Sequence, residues 1–285
     1  MLLFVAADAR AALQRLAQAE EALRRGNYDE AQKALTLMDP EGFSERDRPR
    51  YFAVAGVLAQ EAGKVSRALE YHDKATALAL ELGLPKSVGY AANLAVAAYR
   101  LRSPHEAASA KGRLTQAFNL LDTSSPDQVA AGFVIASVLA YLGSPQHAPW
   151  AYRLLEELTQ RLERDKSAPE PLIVGWGFLA LAEHHLRAPR TYDDLALASR
   201  WAGVAAESAS GRSPAMEAAA AEVRTLATLE EGRSPLSPEA FRALYKDVGE
   251  VIKEAAALIA KEKLREEERE RALTRLWGEQ VQGNA

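Results

Sequence analysis

Residues 52–75 read FAVAGVLAQEAGKVSRALEYHDKA, and this stretch has the pattern of one complete helix–turn–helix unit. Gly56 lies seven positions before Gly63, and Ala68 follows five positions after Gly63. A small residue on each helix allows the two helices to cross closely, and the turn between them needs a residue that tolerates a positive φ angle. The stretch therefore predicts two antiparallel helices that cross at Gly56 and Ala68.

The same spacing of small residue, turn and small residue occurs three more times. These further anchors are Ala19, Gly26 and Ala31; Ala95, Arg102 and Ala107; and Ala136, Gly143 and Ala148. The four turns are separated by 37, 39 and 41 residues. Because one hairpin cannot bury the apolar sides of both its helices, each hairpin is expected to pack against the next. The repeat predicts an all-α array of stacked hairpins.

The composition fits such an array and excludes several kinds of site. Hydrophobic residues make up 48% of the 285 residues but aromatic residues only 7%, and the abundant Ala and Leu favour helices. The chain has no cysteine, which excludes disulfides, cysteine nucleophiles and Cys-ligated metals. Its net charge of −4 argues against general nucleic-acid binding. No apolar run is long enough for a signal peptide or a membrane span, so we expect a cytoplasmic protein.

The turn at residues 24–35, RRGNYDEAQKAL, resembles that of the tetratricopeptide repeat family, which carries Gly, Asp or Asn, Tyr, two variable positions and Ala. In residues 49–83, seven residues fall at or beside the family's packing positions: Phe52, Ala55, Gly56, Ala59, Ala68, Tyr71 and Ala75. The family repeat has about 34 residues, so the longer spacing here is similar to the tetratricopeptide-like arrays of bacterial regulators. The resemblance implies an α-solenoid with a right-handed superhelix, whose first helices line a concave groove for a segment of another protein.

We expect three regions along the chain. The repeat array occupies residues 1–210, and its five units are 8–40, 49–83, 86–122, 126–164 and 170–209. Capping helices follow in residues 211–260, where Ser237 begins a long C-terminal helix. Residues 261–285 form a charged helical tail that starts KEKLREEERER.

The resemblance also implies which residues line the groove. They are Arg50, Val57, Asn93, Val96, Tyr99, Arg100, Phe133, Tyr141, Trp176 and Arg187. The four aromatic residues in this set are candidate anchors, because aromatic and arginine residues dominate binding hot spots; the alternative is that they fill the core between repeats. Asn93 would hold the backbone of a bound peptide, or only satisfy a local hydrogen bond. A complete carboxylate clamp would need polar residues where this chain has Ala17, Val54 and Val134, so recognition of an acidic C-terminus is not expected.

No catalytic motif is present, and we expect neither enzyme activity nor a bound metal or cofactor. The segment Gly175-Trp176-Gly177 lacks the strand and third glycine of a dinucleotide site, and it indicates close helix packing instead. Structural roles are expected for all five histidines: His72, His105, His147, His184 and His185.

Three functions fit these observations. The first is an adaptor or scaffold that binds a protein or peptide segment in the groove, without direct contact to nucleic acid or membrane. The second is a regulatory sensor that binds a peptide or small effector and controls a transcriptional or signalling partner. The third is self-assembly into a homo-oligomer through the terminal helix and its patch of Leu273, Leu276 and Trp277.

Overall fold

The computed structural model describes residues 2–165, 171–187, 192–209 and 213–231. Within these ranges the chain forms α-helices and short 3₁₀ turns, and no strand. The helices are α1 (Leu2–Arg24), α2 (Tyr28–Thr36), α3 (Arg48–Glu61), α4 (Val65–Glu81), α5 (Ser87–Arg100), α6 (Lys111–Asn119), α7 (Pro126–Tyr141), α8 (Ala148–Asp165), α9 (Pro171–Arg187), α10 (Tyr192–Ala209) and α11 (Pro214–Glu231). The predicted all-α fold is confirmed for the described residues.

The helices pack in neighbouring pairs along the chain: α1 with α2, α3 with α4, α5 with α6, α7 with α8, and α9 with α10. The chain divides into two compact units, Met1–Leu121 and Asp122–Ala285. In the first unit, α3 also packs against α1 and α5; in the second, α9 also packs against α7 and α11. The grouping of residues 1–210 into one array stays a prediction. The long helix from Ser237 and the charged tail of residues 261–285 lie outside the described residues.

The central residue of each of the four predicted turns has the positive φ angle that was expected at the turn. The φ angles are +71° at Gly26, +69° at Gly63, +85° at Gly143 and +57° at Arg102. The small residues that flank these turns are all buried: Ala19, Ala31, Gly56, Ala68, Ala95, Ala107, Ala136 and Ala148. The spacing therefore identified real helix crossings.

Arg102 is the one non-glycine residue with positive φ in the described part of the chain. Its guanidinium lies 4.8 Å from the centre of the Tyr99 ring and donates a hydrogen bond to the Tyr99 hydroxyl. The left-handed conformation costs an L-residue about 1–2 kcal/mol relative to glycine. The position therefore combines an unfavourable backbone conformation with a favourable side-chain contact.

We expect Arg102→Gly to be more stable than Arg102→Ala by about 1 kcal/mol, since both lose the side chain and only glycine relieves the backbone. Urea denaturation of the two variants measures the difference. The matched pair at Glu70, an exposed position within α4, should give the opposite order, because glycine destabilises a helix interior by about 1 kcal/mol. The same order at both positions would contradict the interpretation.

In the first unit, α3 and α4 are in close contact where Gly56 meets the His72 ring. A Cβ atom built on Gly56 would lie 2.5 Å from Cε1 of His72 and 2.6 Å from its Nδ1. His72 is only 1% exposed. Gly56 therefore provides the space that the imidazole fills, and this contact fixes the separation of the two helices.

In the second unit, α7 is buried along almost its whole length, from Val129 to Tyr141. Helix α9 packs on it through Gly177, where an added Cβ would lie 2.8 Å from Cε1 of Phe133. At Gly175 an added Cβ would lie 2.5 Å from the sulfur of Met216, on α11. The interpretation of the two glycines as close-packing positions is confirmed.

Candidate functional site

The first helices of successive hairpins in the first unit are joined by ion pairs. Arg50 on α3 donates two hydrogen bonds to the Glu20 carboxylate on α1, with Nε–Oε1 at 2.9 Å and Nη2–Oε2 at 2.8 Å. Asp47 lies 3.4 Å from Nη1 of the same guanidinium. The hydrogen bonds to Glu20 raise the pKa of Arg50, although burial opposes the shift. The sequence analysis placed Arg50 on the groove surface but did not predict its pairing with Glu20.

A second ion pair joins α3 to α5. Nη1 of Arg100 lies 3.9 Å from Oε1 of Glu61, and the Arg100 side chain is only 8% exposed. Val57 and Asn93 are half-buried on the same two helices, whereas Val96 is buried. We call the set Glu20, Arg50, Val57, Glu61, Asn93 and Arg100 the first-helix surface.

The Glu20–Arg50 pair should stabilise the first unit by about 1 kcal/mol, because it is bidentate and both side chains are only about one-third exposed. A double-mutant cycle with Glu20→Gln and Arg50→Met measures the coupling. The control is the pair Glu21–Arg24, whose arginine is 72% exposed and whose coupling should be a few tenths of a kcal/mol. Equal coupling in the two cycles would contradict the assignment.

The four candidate anchors are buried in the structure. Tyr99 and Phe133 are 0% exposed, Tyr141 is 2% exposed and Trp176 is 7% exposed. Phe133 packs against Phe178, with ring centres 5.1 Å apart. The burial favours the alternative interpretation, in which these aromatic side chains fill the core. The sequence signal was available, because VAAGFVIASVLAY at residues 129–141 contains no charged side chain and, apart from the Tyr141 hydroxyl, only Ser137 as a polar one. A helix that is hydrophobic on all sides is a buried helix.

Arg187 is the exposed member of the candidate set in the second unit. Its guanidinium stacks over the Tyr141 ring at 4.2 Å from the ring centre, and Nη2 lies 3.3 Å from the Tyr141 hydroxyl. The same nitrogen lies 3.6 Å from the Glu183 carboxylate, and 42% of the arginine side chain remains exposed. Arg187 therefore covers a buried tyrosine as well as facing solvent.

A polar network that sequence reasoning missed connects α8, α9 and α10. Nδ1 of His185 lies 3.0 Å from Oδ1 of Asp194, and Nε2 of His185 contacts the Tyr152 hydroxyl. Burial raises the pKa of Tyr152, so its phenol stays protonated near neutral pH. When Nδ1–H donates to Asp194, Nε2 accepts a hydrogen bond from the Tyr152 hydroxyl, so both ring nitrogens of His185 have a partner. The network supports the structural role expected of His185; residues so far apart in sequence gave no local signal.

The described residues show no group of histidine and acidic side chains suited to hold a metal ion. None of the described helices combines the length and apolarity needed to cross a membrane.

Comparison with known proteins gives little further information. No protein-family model matches the chain, and no curated protein sequence matches it. Among solved structures, the chain is similar to the apo form of the quorum sensor NprR from B. thuringiensis, with 13% sequence identity and a TM-score of 0.44. The alignment covers 93% of this chain and 87% of that one. A similarity of this size carries no functional argument.

Proposed function

We propose that the chain is a non-enzymatic binding protein whose first-helix surface holds a peptide segment of a partner protein. The observation that carries the proposal is the side-by-side packing of α1, α3 and α5, with half-buried Val57 and Asn93 on adjacent helices. Two ion pairs, Glu20–Arg50 and Glu61–Arg100, tie these helices together. The surface is therefore preorganised, which lowers the entropy cost of binding.

The chemistry of this surface suits a peptide backbone. The Asn93 amide offers both a donor and an acceptor, which match the carbonyl and N–H of one peptide unit. Val57 offers an apolar contact on the adjacent helix α3. Both guanidinium groups already contact carboxylates of the protein, so an acidic ligand would have to compete with Glu20 and Glu61. We infer that hydrogen bonding and apolar contact, rather than a carboxylate clamp, would hold the segment.

The test is selection of peptides from a random phage-displayed library on the full chain, followed by measurement of Kd for the selected peptides. We expect Val57→Asp to weaken binding by about tenfold or more, equivalent to about 1.4 kcal/mol, because a charge would replace the apolar contact. Asn93→Ala should weaken the same peptides. Ser66→Asp, at an exposed position on α4, is the control and should leave Kd unchanged.

Failure to select any peptide, or selected peptides that bind both first-helix variants as tightly as the parent chain, would overturn the proposal. Circular dichroism of each variant shows whether it is folded. A regulatory sensor of small effectors gives a different result: a metabolite at 100 times its Kd would raise the free energy of unfolding by about 2.7 kcal/mol, while no peptide is selected.

A further inference from the structure

His72 is a buried polar side chain with no polar contact. The ring lies on α4 and is 1% exposed. Neither Nδ1 nor Nε2 has a hydrogen-bond partner in the described part of the chain. Buried polar groups in native proteins are nearly always paired, and one that is not requires an explanation. The ring packs directly against the α-carbon of Gly56, where an added Cβ would lie 2.5 Å from Cε1 of His72.

No nearby charge compensates for this burial. Two ion pairs engage charged side chains around α4: Arg113 on α6 pairs with Asp73 on α4 at 2.5 Å, and Arg100 on α5 pairs with Glu61 on α3 at 3.9 Å. No ionisable group of α3, α4, α5 or α6 shifts the pKa of His72, and burial alone lowers it from 6.5 to about 4. A proton on the ring therefore has neither a carboxylate nor water to stabilise it.

We propose that the contact of His72 with Gly56 is an acid-sensitive latch: the neutral ring holds α4 against α3, and a proton on the ring opens this hairpin. The open form exposes the imidazole to water, where it binds a proton readily. Acidification therefore favours the open form without any change elsewhere in the hairpin. The inference rests on the packing of α3 and α4 and does not depend on the proposed binding function.

The direction follows from proton linkage. The closed hairpin keeps a pKa of about 4 and the open hairpin has the ordinary value of 6.5, so the open form binds more protons between these two values. The stability that the neutral His72 ring gives to the closed form is complete above pH 6.5 and is lost progressively as the pH falls towards 4. From pH 7 to pH 5 the opening equilibrium of the hairpin should rise about 20-fold.

Hydrogen exchange with mass spectrometry on the full chain tests the latch. After correction for the intrinsic exchange rate, peptides from α3 and α4 should lose about 20-fold in protection between pH 7 and pH 5. Peptides from α7 and α11, which contain no histidine, should change much less. In parallel, the ¹H–¹³C NMR signal of the His72 ring should titrate with a pKa near 4.

Two variants complete the experiment. His72→Leu cannot be protonated, so its α3 and α4 peptides should show no loss of protection at pH 5. His105→Gln removes an exposed histidine and should retain the full loss. If His72→Leu fails to fold, the NMR titration of the parent chain still tests the proposal through the pKa of His72. A His72 pKa near 6.5, equal loss of protection in both units, or an unchanged loss in His72→Leu would each overturn the latch.

Discussion

Gly56→Leu is expected to lower the free energy of unfolding by about 3 kcal/mol. Even the first carbon of the new side chain would lie 2.5 Å from the His72 ring, which is closer than two carbons can approach. His72 is buried and cannot swing into solvent, so α3 and α4 must separate or the ring must leave its rotamer. Urea denaturation followed by circular dichroism at pH 7 measures the loss.

The control for this prediction is Gly89→Leu in the same unit. Gly89 lies within α5, is exposed, and has no atom within 4 Å of an added Cβ. There the substitution should be neutral or stabilise by up to about 1 kcal/mol, because glycine is a poor helix former. A further check is a double-mutant cycle of Gly56→Ala with His72→Ala: removal of the ring should relieve part of the cost of the added methyl group. Equal losses at Gly56 and Gly89, or strict additivity in the cycle, would contradict the described crossing.

Phe133→Ala is expected to cost about 4 kcal/mol. The ring is completely buried, packs against Phe178 and lies against the α-carbon of Gly177. The truncation leaves a cavity between α7 and α9, and the glycine offers no side chain that could move in to fill it. Urea denaturation followed by tryptophan fluorescence measures the loss, and the unfolding midpoint should move to a lower urea concentration.

Trp150→Ala is the control for Phe133→Ala. Trp150 is also aromatic and in the second unit, but it is 48% exposed, so its truncation should cost less than about 1 kcal/mol. The comparison also bears on the candidate anchors. If Phe133→Ala left stability intact and weakened only peptide binding, Phe133 would be a binding residue rather than a core residue.

The hairpin architecture could be predicted from the sequence because it depends on local requirements. A turn such as Gly63 needs positive φ, and a crossing such as Gly56 needs a small residue; both recur at fixed distances. The third turn uses Arg102, and the spacing alone identified it. The helices expected in residues 211–260 include one that the structure describes, α11 at Pro214–Glu231.

The candidate site was less predictable, because exposure depends on what covers a helix. Tyr141 and Trp176 lie on the first helices of the fourth and fifth hairpins. Both are buried, because α7 packs against α8 and α9, and α9 packs in turn against α10 and α11. Pairings between residues far apart in the chain could not be predicted from the sequence either. Arg50 joins Glu20 across 30 residues, and Tyr152 joins His185 across 33. Such partners depend on how the hairpins are stacked, which no short pattern encodes.

The burial of α7 has a consequence for synthesis on the ribosome. Phe133 is translated 45 residues before its partner Phe178, and at about 5–20 residues per second the delay lasts several seconds. During that interval the nascent chain presents VAAGFVIASVLAY, with its apolar side facing α9 still uncovered. This segment is therefore the place where we expect a chaperone to engage the growing polypeptide, and release should follow once residues 171–187 have emerged.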